Sequence, residues 1–287
     1  MSDSRAPVAV VAVLTEVRPI LARGQILSSQ RADVCTVWET RLAGHTVFVA
    51  GCPAGKVNAA MAAQVLIERY RPAAIVSCGS AGSLSPAVRA GDLLIASQAV
   101  PHDAGLLLGQ RFLPLGAQVA RRGRLLSQRV FVADAALIRA ARSAAGALAS
   151  DGHRPAPAVH VGPVASGDQV LFSHQRKAEL ARVWHALAVD METAAVAQAA
   201  QAHGVSWLGI RGISDSADEE AGLDLSRLAA FVEDGSWPLG WAKRQARRAG
   251  YLLRDRHAVG RLRRLIAGVR LGADRAAALL AGTVARL

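Results

Sequence analysis

Val8-Ala9-Val10-Val11-Ala12-Val13-Leu14 is followed directly by Thr15 and Glu16. Seven consecutive apolar residues, four of them Val, read as a short strand buried on both faces. Residues 46–51, 73–77, 92–96 and 205–210 read the same way, each mostly apolar with Gly or Pro close by. Helical patterns lie between them. Across residues 56–70, Ala59, Ala62, Ala63, Leu66, Ile67 and Tyr70 recur at spacings of three and four, with Gln64 and Glu68 opposite, and Arg71-Pro72 stops the run. Residues 134–149, with Asp134 as candidate N-cap, 174–184 and 193–203 are also helical in pattern. Strands interleaved with helices predict an α/β fold, a mostly parallel or mixed sheet covered on both faces. Ligands in such sheets sit at the carboxyl ends of strands, so motifs just after strands come first.

Working outward, Arg5 before the first run could suggest a secretory leader, but Glu16 and Arg18 interrupt it before any small-residue cleavage site. Towards the other end, Glu233-Asp234-Gly235-Ser236-Trp237-Pro238 breaks the pattern and a basic helical segment follows. There, Leu262, Leu265, Ile266, Val269, Ala273 and Ala276 form a stripe, with Arg261, Arg263, Arg264 and Arg270 mostly off it. The expected organisation is therefore a main domain over residues 1–232 and a basic amphipathic extension over 233–287. The net charge of +12 belongs to that extension: residues 241–287 hold twelve of the 34 basic and two of the 22 acidic side chains, and the remaining 22 and 20 nearly cancel. Cys35, Cys52 and Cys78 are odd in number and form no CxxC pair, which favours a reducing cytoplasm over a disulfide framework.

Several chemistries are disfavoured. GCPAGKV (51–57) resembles a phosphate loop but lacks one spacer residue and has Val57 where a magnesium-binding Ser or Thr belongs. No GxGxxG opens a helix and no HExxH or paired-Cys spacing occurs, so neither a cofactor nor a metal is expected. The absence of GxSxG argues against a serine hydrolase. Three acids remain near strand ends or a helix start: Glu16, Glu192 and Asp215. Any one alone reads as a solvated carboxylate or a cap; three together suggest a site. The segment 78–83 (CGSAGS) is either a tight turn or a place where backbone N–H groups approach a ligand.

Taken together, VAVLTEV (11–17), GKVNAA (55–60), CGSAGSL (78–84), GDLLIAS (91–97), His102-Asp103, SGD (166–168), VDMETAAVA (189–197) and RGISDSAD (211–218) resemble the nucleoside phosphorylase/nucleosidase superfamily. They are most similar to its 5′-methylthioadenosine/S-adenosylhomocysteine nucleosidases. The resemblance implies a three-layer α/β/α sandwich around a mixed sheet, a homodimer, a small nucleoside substrate and release of adenine. It also implies roles: Asp215 protonates purine N7, Glu16 activates water, Met191 and Glu192 hold the ribose, and Arg211 and Ser80 lie near the attacking water. Ala81, Gly82, Ser214, Val170, Leu171, His102 and Asp103 complete the expected binding set.

Chemistry supports these roles independently. Splitting an N-glycosidic bond leaves positive charge on the sugar and negative charge on the base. An acid at the base then contributes about 10²–10⁴ in rate, and carboxylates favour the oxocarbenium-like state. Glu16 would repel phosphate, and residues 77–83 contain no Arg, so water is the expected nucleophile over phosphate.

The resemblance weakens in two places. Gln169, Val170 and Leu171 follow SGD where an aromatic residue usually stacks on adenine, and 104–116 is unusually aliphatic, which suits either an apolar 5′ substituent or core packing. The basic extension resembles that of hopanoid-associated phosphorylases, whose expected substrate is adenosylhopane. It reads as a peripheral membrane contact through 241–287, or as a helical hairpin packed on the domain or a dimer partner. Few aromatics accompany its charge, which disfavours nucleic acid.

Overall fold

The computed structural model describes residues 6–109, 111–121, 123–148, 156–217 and 256–287. The 233–238 break and the first part of the basic extension lie outside these residues. Strand β1 (Val8–Val13) is buried and central, parallel to β4 (His45–Cys52) on one side and to β5 (Ala74–Ser83) on the other. Strands β2 (Gln25–Arg31) and β3 (Thr36–Leu42) extend the sheet beyond β4 as an antiparallel meander. On the other side β5 meets β14 (Ser206–Asp215), β14 meets β6 (Leu93–Pro101), and β6 meets β12 (Val159–Ser166). β12 pairs with β13 (Ala188–Asp190), which returns to β5, so five strands close into a ring. The short β11 (Phe131–Val132) caps the outer edge of β6.

Helices cover both faces, giving the three-layer α/β/α sandwich. α2 (Lys56–Tyr70) packs on α5 (Thr193–His203) on one side. The opposite layer holds α1 (Val17–Leu21), α3 (Ala135–Ala145) and α6 (Arg256–Val284). The buried face of α2 is Ala59, Ala62, Ala63, Leu66 and Ile67, as its spacing requires. Its end is set by Arg71, which adopts left-handed φ 45° and donates its N–H to Ile67 O immediately before Pro72. Asp134 caps α3 by accepting from the N–H groups of Ala136 and Leu137. α4 (His174–Trp184) packs beside β12. Two hairpins project from the body: β7 (Gly105–Leu108) with β8 (Arg111–Pro114), and β9 (Ala117–Arg121) with β10 (Arg124–Gln128).

The last helix is built into the body. Ala273, Ala276, Ala277, Leu279, Leu280 and Val284 of α6 are buried in the main core. Its backbone crosses β14 at unusually close range, glycine on glycine: a Cβ on Gly272 would lie 2.6 Å from the carbonyl oxygen of Gly212. Arg263, Arg264 and Arg270 face outward. Among the described residues no helix is long and apolar enough to cross a membrane.

Candidate active site

Glu16, Glu192 and Asp215 line one cleft of about 310 Å³ at the carboxyl ends of β1, β13 and β14. That volume is at the lower end of the range for small-ligand pockets. A larger groove of about 520 Å³ lies between α2, α5 and β9, but among the described residues no carboxylate lines it.

Glu16 follows β1 and occupies the N-cap position of α1. Its Oε2 accepts the Ser80 N–H at 3.0 Å and its Oε1 the Ser80 hydroxyl at 2.5 Å. The segment 78–83 is therefore neither a turn nor an open anion cradle: it continues β5, and its Ser80 N–H is committed to Glu16. Gly79 allows this closeness, because a Cβ there would meet Arg211 Nη1 at 2.7 Å and overlap the Glu16 carboxylate.

Glu192 sits at the N-cap position of α5, and its Oε1 accepts the N–H of Gly55, at the start of α2, at 2.9 Å. Burial pushes its carboxyl up to about 7; Arg211 pulls it down, and Asp190 adds to the rise. Behind it, Arg211 is locked. Nε lies 2.7 Å from Asp190 Oδ2, Nη2 donates to Ser77 Oγ at 2.5 Å and Thr193 Oγ1 at 2.8 Å, and Nη1 lies 3.9 Å from Glu192 Oε2. Asp190 also accepts from Ser166 Oγ at 2.5 Å and from Thr193 Oγ1. This acid stood beside Glu192 in the sequence without an assigned role.

Asp215 ends β14. Its Oδ1 lies 2.6 Å from Ser214 Oγ, which also donates to Ala81 O at 3.1 Å. Ser80, Ala81, Gly82, Met191 and Ser214 border the same cleft. One wall is apolar: Val170, Leu171 and Phe172 from the loop before α4, and Leu265 and Val269 from α6. The α6 pair was visible in sequence only as part of the amphipathic stripe.

His102 and Asp103 do not line the cleft. His102 is fully buried beside Gly167, and neither ring nitrogen has a hydrogen-bond partner among the described residues; burial pushes its imidazole down. Asp103 braces the site from behind, accepting from Lys56 Nζ at 2.5 Å and the Asp168 N–H at 3.0 Å. Burial pushes the Asp103 carboxyl up, but the bonds from Lys56 and Asp168 outweigh it and hold it below the ordinary range. Asp168 in turn accepts the Lys56 N–H at 2.7 Å, capping α2 from a distant loop.

Three carboxylates at strand ends, a clamped arginine and an apolar wall accompany a match of residues 8–236 to the phosphorylase superfamily. The chain belongs to the phosphorylase superfamily. Within the phosphorylase superfamily it is 30% identical over 223 residues to a 5′-methylthioadenosine/S-adenosylhomocysteine nucleosidase of Mycobacterium bovis, covering 75% of this chain and 88% of that one. A nucleosidase of the same description from Geobacillus thermodenitrificans is 33% identical over 196 residues, covering 68% and 77%. Among solved structures of the superfamily fold, the Neisseria meningitidis nucleosidase in complex with methylthio-immucillin-A superposes with TM-score 0.72 at 24% identity, over 98% of this chain and all of that one. Futalosine hydrolase of Helicobacter pylori superposes with TM-score 0.70 at 22% identity, over 98% of both chains.

Proposed function

We propose that this chain hydrolyses the N-glycosidic bond of a 5′-substituted adenosine, of the methylthioadenosine or S-adenosylhomocysteine type, and releases adenine. The observation carrying this reading is that Glu16, Glu192 and Asp215 border one nucleoside-sized cleft while Arg211 is held behind it by Asp190 and Ser77. A phosphate nucleophile would need guanidinium or ammonium donors facing the cleft, and among the described residues that line it there is no Arg or Lys. Glu16 stands where it can take a proton from water. Met191 and Glu192 hold the ribose, and Asp215 with Ser214 meets the purine N7. Val170 and Leu171 flank the base in place of an aromatic. His102 and Asp103 support the binding loops.

The test is incubation of the purified protein with a panel of nucleosides, with and without phosphate. Adenine and a free 5-substituted ribose should form at a rate independent of phosphate. Product formation only when phosphate is added would make the enzyme a phosphorylase.

The apolar wall favours a second reading for the 5′ substituent. Val170, Leu171, Leu265 and Val269 offer a surface suited to a large lipid group such as that of adenosylhopane. Outward-facing Arg263, Arg264 and Arg270 would then approach anionic lipid. Changing all three to Glu should abolish co-sedimentation with anionic vesicles, while unchanged sedimentation removes this reading.

We also infer a cytoplasmic homodimer. The free thiols of Cys35, Cys52 and Cys78 are buried, and the alanine-lined groove between α2 and α5 presents the exposed Val57 beside it. Residues 1–232 supply the chemistry, and 233–287 form the extension whose last helix completes the outer layer.

A further inference from the structure

Lys177 lies near the start of α4 with 3% of its side chain exposed, and its Nζ is 2.9 Å from Asp215 Oδ2 and 3.4 Å from Ser216 O. A buried ammonium survives only against a partner, so this placement ties α4 to the end of β14. The neighbouring Arg176 turns elsewhere, over the Phe112 ring and to Glu179. The other carboxylate oxygen has different company. Ser214 Oγ carries a single hydrogen but lies within hydrogen-bond reach of both Ala81 O and Asp215 Oδ1. When that hydrogen goes to Ala81, Ser214 can only accept from Oδ1. Oδ2 is thus fixed as an acceptor, and Oδ1 is the oxygen able to carry a proton.

We propose that Lys177 is a positioning residue for Asp215: it pins Oδ2, leaves Oδ1 to deliver the proton, and stabilises the carboxylate that delivery creates. The proposal rests on the reading of Asp215 as the acid. In the step, the proton on Oδ1 passes to purine N7 as the N9–C1′ bond breaks and its electron pair goes to the base. Water oxygen bonds C1′ and its proton passes to Glu16. The base leaves neutral, and Asp215 remains as a carboxylate already facing an ammonium, so the charge forms where a fixed cation awaits it. Among the described residues, the other ionisable groups bordering the cleft are Glu16, Asp190 and Glu192, with Arg211 behind them, and α6 contributes Leu265 and Val269.

The experiment compares Lys177→Met, Lys177→Arg, Asp215→Asn and the Lys177→Met/Asp215→Asn pair by kcat, KM and pH profile, with thermal melts to verify folding. Lys177→Met should lower kcat by about 10- to 100-fold with KM within about 2-fold, as expected for a lost transition-state interaction. The alkaline limb of kcat should move to higher pH, because the carboxylate has lost its cation. Lys177→Arg should restore part of kcat, and adding Lys177→Met to Asp215→Asn should cost nothing further. If Lys177→Met does not fold, Lys177→Gln carries the same expectations. Wild-type kcat with an unmoved alkaline limb in the Lys177 variants, beside an inactive Asp215→Asn, overturns the role of Lys177 alone. A fully active Asp215→Asn overturns the acid assignment beneath it.

Discussion

Arg211 Nε and Asp190 Oδ2 lie 2.7 Å apart, and each side chain is 1% exposed. The pair joins β14 to the end of β13, and Ser77, Thr193 and Ser166 add hydrogen bonds to it. Asp190→Ala should therefore cost about 3–5 kcal/mol, because it strands a buried guanidinium. Chemical denaturation should show the loss, and a variant within 1 kcal/mol of wild type would contradict this account.

On the proposed reading, Asp215 is the acid that protonates the leaving base. Asp215→Asn should lower adenine release by about 10²–10⁴ in a protein that still folds but melts earlier than wild type, since the change leaves the Lys177 ammonium, 3% exposed, without its carboxylate. Turnover close to wild type would remove it from the mechanism.

Glu192 predicts a pH dependence of binding. Its carboxyl is pushed up to about 7 by burial, so it is neutral below and ionised above that value. A ribose hydroxyl donates best to the ionised form. KM should therefore fall as pH rises from about 6 to 8, by roughly 10-fold at most. Glu192→Gln should bind weakly at all these pH values; a persisting fall in its KM would assign the effect to another group.

The crossing of α6 over β14 predicts a structural lesion with a catalytic consequence. Gly272→Val would place a side chain against the Gly212 carbonyl and push the helix from the strand that bears Asp215. About 1–3 kcal/mol of stability should be lost, with kcat falling as well. Calorimetry and steady-state kinetics on the same preparation check both; an unaltered melting temperature would show that the crossing yields easily.

Much of this was legible because burial leaves a periodic record. The stripe Ala59, Ala62, Ala63, Leu66, Ile67 gave α2 its full extent, and β1 announced itself as a continuous apolar run. β2 left no such trace: Gln25–Arg31 is exposed along its whole length at the sheet edge, so no face needed to be apolar. The glycines of 78–83 read as either a tight turn or a ligand-facing loop, yet β14 pairs with that stretch and holds it extended through Gly82. The hairpins of β7–β10 were hidden because their leucines are exposed, which removes the link between apolar residue and core. At the site, the three acids could be named from strand ends, but Lys177 reads as an ordinary helix lysine until the fold turns it inward. Leu265 and Val269 likewise belonged to a recognisable stripe whose partner surface only the three-dimensional packing reveals.

Because α6 supplies Leu265 and Val269 and packs closely on β14, the cleft lacks part of its apolar wall until that helix has docked. A polypeptide without this helix carries Glu16, Glu192 and Asp215 but leaves their cleft open on one side. Deleting α6 should therefore cost turnover in a protein that keeps all three acids.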